Sequence, residues 1–298
     1  RDPESLATLL QICTTSQHLA DSLATDPEAF DLLRLTEGEP VSRDRLVEDL
    51  VSEVGALEHD QAVSRALRRF KRRETLRISY GDIIRDQPLK TVTAQISYLA
   101  DAVIEAALKA AWRRTSQRRG MPQGPDGGRA RFVVLGLGKL GGTELNYSSD
   151  IDLIFLYDGE GRTDRPRSIT NREFFELLAR ELVRMLTEPT DMGSAYRVDL
   201  RLRPEGEQGP IVISADGAMR YYDLRGRTWE RQALIKARPV AGDLRLGEEF
   251  LEQMAPWIYR RYLNTADISG IKALKRRIER RAQQEGGDHR DVKCGHGG

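Results

Sequence analysis

Residues 132–157, FVVLGLGKLGGTELNYSSDIDLIFLY, decide how this chain is read. Two apolar β-type runs flank a glycine-rich turn that carries Lys139, and the second run opens with Ser149, Asp150, Ile151 and Asp152. Side chains alternate faces along a strand, so Asp150 and Asp152 are expected on one face and Ile151 and Leu153 on the other. Two neighbouring carboxylates repel each other and are costly to bury. A hard divalent cation such as Mg²⁺ removes that cost and keeps open positions for phosphate oxygens. The segment reads as a phosphate-and-metal site.

Gly136, Gly138 and Gly141 also satisfy the G-x-G-x-x-G spacing of a dinucleotide-binding turn after a strand. That fold needs a crossover helix of roughly ten or more residues and then a strand with an acid near its end. Here only Gly142 to Ser149 separate the turn from the next run, and the acids stand at its beginning. No crossover helix fits, and the dinucleotide reading is set aside.

A second informative stretch is Ala195 to Arg203, which alternates strictly. Val198, Leu200 and Leu202 fall on one face; Arg197, Asp199, Arg201 and Arg203 fall on the other. A half-exposed antiparallel strand would show the same alternation. One acid among three arginines is also what a polyphosphate site uses, a metal ligand beside bidentate phosphate donors. If this strand is a sheet neighbour of the first, Asp199 comes beside Asp150 and Asp152.

The chain has 298 residues, enough for two domains. Its 47 basic and 46 acidic side chains leave a net charge of +1, which counts against a nucleic-acid partner. Cys13 and Cys294 form no metal-ligand spacing, as expected in a reducing cytoplasm. No apolar run approaches the roughly 18 residues of a membrane span, and no signal peptide is visible. His18, His59, His289 and His296 are too scattered for a histidine-ligated metal or a Ser-His-Asp triad. The start at Arg1 and the glycine-rich end suggest a piece of a longer polypeptide.

Residues 1 to about 118 read as helical, most clearly Thr91 to Trp112. There Val92, Ile96, Leu99, Val103, Ala107 and Ala111 recur at helical spacing behind a Thr91 cap. The basic run Arg65 to Arg73 reads as a solvated helix face or as a surface for phosphate or an acidic partner. Ser116 to Arg131 is glycine- and proline-rich, and the domain boundary is placed there. A helix is expected over Asn171 to Leu186, opened by a Thr170–Glu173 capping box. Trp229 to Arg238 is expected to be helical, with Lys236 and Arg238 either reaching phosphates or salt-bridged. The arginine-rich tail from Gly247 is again read as helix.

The residues Gly138 to Leu153 resemble the nucleotidyltransferase signature of the bifunctional glutamine-synthetase adenylyltransferase/adenylyl-removing enzymes. The resemblance continues through Tyr196 to Pro204, through Trp229 to Arg238, and into the basic helix before Thr75-Leu76-Arg77-Ile78. It covers most of the chain from about residue 65. It implies an α+β chain: a DNA polymerase β-like nucleotidyltransferase domain with a mixed sheet over 120–245, flanked by helical regions 1–119 and 246–298. That family joins two similar halves, one removing AMP from a tyrosine of glutamine synthetase and one attaching it. A single Ser-Asp-x-Asp unit implies one half here. Arg197, Leu200 and Gln208-Gly209-Pro210 resemble the adenylyl-removing half, the transferring half more typically having Glu and Ala at 197 and 200.

The resemblance implies further that Asp150, Asp152 and Asp199 are the catalytic, Mg²⁺-holding acids. Gly138, Lys139, Gly141, Gly142, Ser148, Ser149, Arg201 and Arg203 would bind the phosphates and the nucleotide. The implied reaction is phosphorolysis of adenylyl-tyrosine to ADP, in the cytoplasm. Glutamine synthetase is the implied protein substrate, phosphate and ADP or ATP the small ones, and a nitrogen-signalling protein the regulator. The alternatives are the transferring half using ATP, a nucleotidyltransferase acting on RNA, and a non-catalytic regulatory module.

Overall fold

The computed structural model describes residues 3–259 except 28, 125 and 126, together with scattered positions between 269 and 280. Most of the helix expected beyond residue 259, together with Cys294, His289, His296 and the side chain of His18, lies outside the described residues. Helices come first: α1 (Pro3–Thr15), α2 (Gln17–Thr25), α3 (Ala29–Thr36), α4 (Arg43–Gly55), α5 (Asp60–Ile83) and α6 (Leu89–Arg119). Then follow β1 (Phe132–Gly136), the single turn α7 (Gly138–Gly141), β2 (Ile151–Tyr157) and α8 (Asn171–Thr187). The chain continues with β3 (Val198–Asp199), β4 (Val212–Ser214), α9 (Ala215–Arg225), α10 (Thr228–Leu234), β5 (Arg238–Gly242) and α11 (Leu244–Ile258). Among the described residues no helix is long and apolar enough to cross a membrane.

The sheet is mixed, in the order β5-β1-β2-β3. β1 runs antiparallel to both β2 and β5. The turn over Gly138–Gly141 therefore reverses the chain, which is incompatible with a dinucleotide fold's parallel crossover. The other edge of β2 is shared: β3 lies parallel to its start and β4 parallel to its end. β1 is buried throughout, as is β2 apart from Asp152, because helices cover both faces. Phe132, Val134, Ile151, Leu153 and Phe155 join a core with α4, α6 and α8. Val133, Leu135, Ile154 and Leu156 pack against α9, α10 and α11. Helices α4, α5 and α6 thus share a core with the sheet, whereas α1, α2 and α3 pack on Leu76 and Tyr80 of α5.

Local chemistry sets the element ends. α8 begins with the expected capping box, Thr170 and Glu173 exchanging side-chain-to-backbone bonds. α6 starts earlier than expected: Pro88 is the cap, Thr91 sits in the first turn, and Thr91 N–H donates to the Pro88 carbonyl. It also runs on through Ser116 to Arg119 and stops at Gly120, whose φ of +85° suits a residue without a Cβ.

The strand expected over Ala195 to Arg203 shrinks to Val198–Asp199. Asp199 Oδ1 accepts the Arg201 N–H at 2.8 Å, so the aspartate ends its own strand in a side-chain turn. β3 is also parallel to its neighbour rather than antiparallel. α10 ends at Leu234, so Lys236 and Arg238 are not on a helix; Arg238 opens β5, whose edge position tolerates Pro239.

The basic run on α5 is neither a solvated face nor a phosphate surface throughout. Arg68 turns inward and donates to the carbonyls of Ser64, Met185, Glu188 and Gly193. Lys71 donates to the Ala195 carbonyl, and its ammonium stands 4.2 Å from the Tyr196 ring centre. These two cations pin the segment that leads into β3.

Candidate active site

The register of β2 and β3 brings the acids together. Ile151 pairs with Val198 and Asp152 with Asp199, so two carboxylates lie side by side on neighbouring parallel strands. The Leu137 N–H donates to the Asp152 carbonyl at 2.9 Å, which sets the glycine turn against the same point of β2. Gly138 has φ +55°, and a Cβ there would stand 2.8 Å from Asp152 Oδ2. At Gly141 a Cβ would stand 2.0 Å from the Lys236 carbonyl. Both glycines are required by close approach and, for Gly138, by a left-handed backbone. Gly142 follows at the end of the turn, where its N–H donates to the Gly138 carbonyl.

Arginines compensate the acids. Asp199, 15% exposed at its side chain, is gripped by Arg201 through Nε at 2.9 and 3.0 Å and Nη2 at 2.5 Å. These bonds hold the Arg201 guanidinium above its usual pKa range, and the rest of that group faces solvent. Asp150 pairs with Arg197 Nε, and Arg197 Nη2 also donates to the Ser148 carbonyl at 2.9 Å. Arg197 therefore ties Asp150 to the loop that carries Ser148, which is exposed, and Ser149, which is half-buried. Lys139 is half-buried on the turn, and its carbonyl accepts the Glu144 N–H at 2.7 Å.

Arg203 is engaged differently. It donates to the carbonyls of Leu200, Glu207, Gly209 and Pro210 at 2.8–3.3 Å, which fixes the loop between β3 and β4. Lys236 pairs with Glu144 at 2.6 Å. Arg238 reaches the fully buried Asp101 at 2.6 Å, and Arg43 reaches the same carboxylate at 2.7 Å. The salt-bridged alternative holds for both Lys236 and Arg238.

Among the described residues no three His, Cys, Asp or Glu side chains stand together as a finished metal cage. The structure brings Asp152 and Asp199 together and turns Asp150 onto Arg197. The donor set is nonetheless all carboxylate oxygen, the type a hard cation such as Mg²⁺ prefers. Asp152 and Asp199 offer such donors side by side, while Asp150 is held by Arg197. Arg197 and the α5 cations were missed as parts of the site. The alternation of residues 195–203 already put Arg197 on the face of Asp199, but nothing in the sequence showed that it would pair with Asp150.

These features define an α+β chain with paired acids beside a glycine-lysine turn. The chain belongs to the glutamate-ammonia ligase adenylyltransferase family, whose model matches residues 6–253. Similar proteins bear the name bifunctional glutamine synthetase adenylyltransferase/adenylyl-removing enzyme. The one from Thioalkalivibrio sulfidiphilus is 41% identical over 266 residues, covering 88% of this chain and 27% of its own. The Hahella chejuensis protein is 38% identical across 100% of this chain and 29% of its own. The Pseudomonas aeruginosa protein is 39% identical across 99% and 30%. The chain thus spans less than a third of the length of the relatives it matches.

Proposed function

We propose that this chain is a nucleotidyltransferase domain of the DNA polymerase β type that removes AMP from a tyrosine of glutamine synthetase by phosphorolysis. The observation that carries this reading is the register pair Asp152–Asp199 beside the Gly138 turn. A phosphate oxygen attacks the phosphorus of adenylyl-tyrosine, the bond from phosphorus to the phenolic oxygen breaks, and the products are ADP and tyrosine. Phosphate is already an anion, so no strong base is needed to activate it. The leaving phenol has a pKa near ~10, so protonating it asks less of the site than an alkoxide would.

The demand is electrostatic: two anions must approach, and charge must be stabilised on the phosphoryl oxygens. Asp150, Asp152 and Asp199 would hold Mg²⁺, which supplies that charge stabilisation when bound. Lys139, Ser148, Ser149 and the amides of the Gly138–Gly142 turn cradle the nucleotide phosphate. Arg201, with its outward guanidinium face, meets the attacking phosphate, and Arg203 keeps the adjoining loop in shape.

A second reading is adenylyl transfer from ATP, which the relatives' double name favours equally. Incubation with adenylylated glutamine synthetase plus phosphate, and separately with the unmodified enzyme plus ATP, separates the two. ADP formed only in the first mixture supports removal; pyrophosphate formed only in the second supports transfer.

A further inference from the structure

We propose that Tyr147 is a positioning residue for the acid site, acting through Asp82 at the end of α5 to set the loop Ser148–Asp150 ahead of β2. The Tyr147 hydroxyl donates to Asp82 Oδ2 at 2.9 Å, across 65 residues of chain. Tyr147 immediately precedes Ser148, Ser149 and Asp150, so the bond fixes the residue from which that loop departs.

The loop needs outside support. Thr143, at its start, has φ +59°, a left-handed backbone that a β-branched residue holds only where surrounding contacts impose it. Leu145 is fully buried, and its N–H donates to Ser97 Oγ of α6 at 3.1 Å. Beyond Leu145 the chain returns to the surface, where residues 146–148 and Asp150 are exposed. There the Ser149 N–H turns back onto the Asn146 carbonyl at 3.2 Å, and Arg197 holds the Ser148 carbonyl and Asp150. The Arg197 side chain is 71% exposed, and such surface ion pairs are weak anchors. Tyr147 adds a tie to a helix.

Asp82 is placed for that bond rather than for its own helix. It stands next to the last residue of α5, where the helix dipole disfavours an acid. A local rule broken in this way marks a residue that serves a contact elsewhere. About three turns earlier on the same helix, Arg68 and Lys71 hold the segment that leads into β3. α5 therefore fixes the approach to both acid-bearing strands, to β3 through its cations and to β2 through Asp82 and Tyr147. Burial and the Asp82 carboxylate push the pKa of the Tyr147 hydroxyl up, which keeps it a donor.

The test compares Tyr147→Phe, Asp82→Ala, their double variant and Asp82→Asn with the wild type. Asparagine keeps an oxygen that accepts the Tyr147 hydroxyl, so Asp82→Asn is the rescuing variant. All should melt with the wild type, because the bond lies at the surface. Amide hydrogen exchange of residues 146–150 in EDTA should quicken about three- to tenfold in Tyr147→Phe and in Asp82→Ala, and no further in the double variant. Asp82→Asn should exchange as the wild type does. Exchange unchanged in both single variants, or additive in the double variant, overturns the proposal.

The catalytic consequence rests on the chain being an adenylyl-transferring or adenylyl-removing domain. In whichever direction it turns over, kcat should fall by a similar factor with the same rescue, while KM for the small substrate stays put. Quickened exchange with wild-type kcat would make the bond merely structural and overturn the positioning role. A wild type without adenylyl turnover would refute the proposed function instead, and the exchange pattern alone would then decide whether Tyr147 and Asp82 set the loop.

Discussion

Asp152 on β2 and Asp199 on β3 are register partners in a parallel pair, so two acids distant in the chain face the same solvent. Without a cation they repel each other. Asp152→Asn is therefore expected to abolish adenylyl turnover while the protein melts in EDTA at the same temperature or higher. A melting point several degrees lower in EDTA would make Asp152 a structural residue instead.

Arg197 pairs with Asp150 through its Nε. A divalent cation at Asp150 has to compete with that exposed guanidinium. Arg197→Ala should bind Mg²⁺ more tightly than the wild type, by less than about tenfold because solvent-exposed pairs are weak. Calorimetry with Mg²⁺ alone reads this directly. Weaker binding in the variant would mean that Arg197 positions Asp150 for the metal rather than competing for it.

Arg201 and Arg203 should separate by phenotype. Arg201→Lys loses a bidentate fork toward phosphate, worth about 1.5–3 kcal/mol, or roughly one to two decades in apparent phosphate affinity. Arg203→Lys cannot satisfy the four carbonyls of the β3–β4 loop and should lower stability. Phosphate saturation at fixed Mg²⁺, with parallel melts, checks both. An unchanged curve for Arg201→Lys removes that residue from phosphate binding.

Asp101 is buried between Arg43 and Arg238, and burial raises its pKa against the lowering effect of both arginines. A carboxyl whose folded pKa exceeds its unfolded value favours the fold below the unfolded pKa. That contribution is lost as pH rises through the folded pKa. Arg238→Met removes one compensating cation, so the rise and the loss should both grow. The variant should lose about 3 kcal/mol at neutral pH and less in acid. Urea midpoints from pH 4 to 7 should show the gap to wild type widening with pH; a constant gap would argue that Asp101 stays neutral.

Much of this was legible because the relevant signals are local. Residues 132–157 carry two apolar β-type runs around a glycine turn, and the Thr170–Glu173 box announces α8. Alternation allowed Asp199 to come beside Asp150 and Asp152 if its strand were a sheet neighbour; the register pairs it with Asp152, while Asp150 turns to Arg197. Other features were hidden because they depend on contacts between segments. Asp199 stops its strand through its own carboxylate, a competition that alternation cannot show. Arg68 and Lys71 look solvated in sequence, yet they serve carbonyls of a segment more than a hundred residues away. Arg238 looks like a phosphate ligand until Asp101 is seen beside it.

The most direct measurement is ADP release from adenylylated glutamine synthetase by this chain, with inorganic phosphate and Mg²⁺ varied independently. The account predicts ADP that depends on both, falls to background in EDTA, and disappears in Asp199→Asn. Phosphate-dependent ADP release that persists in well-folded Asp199→Asn would contradict it.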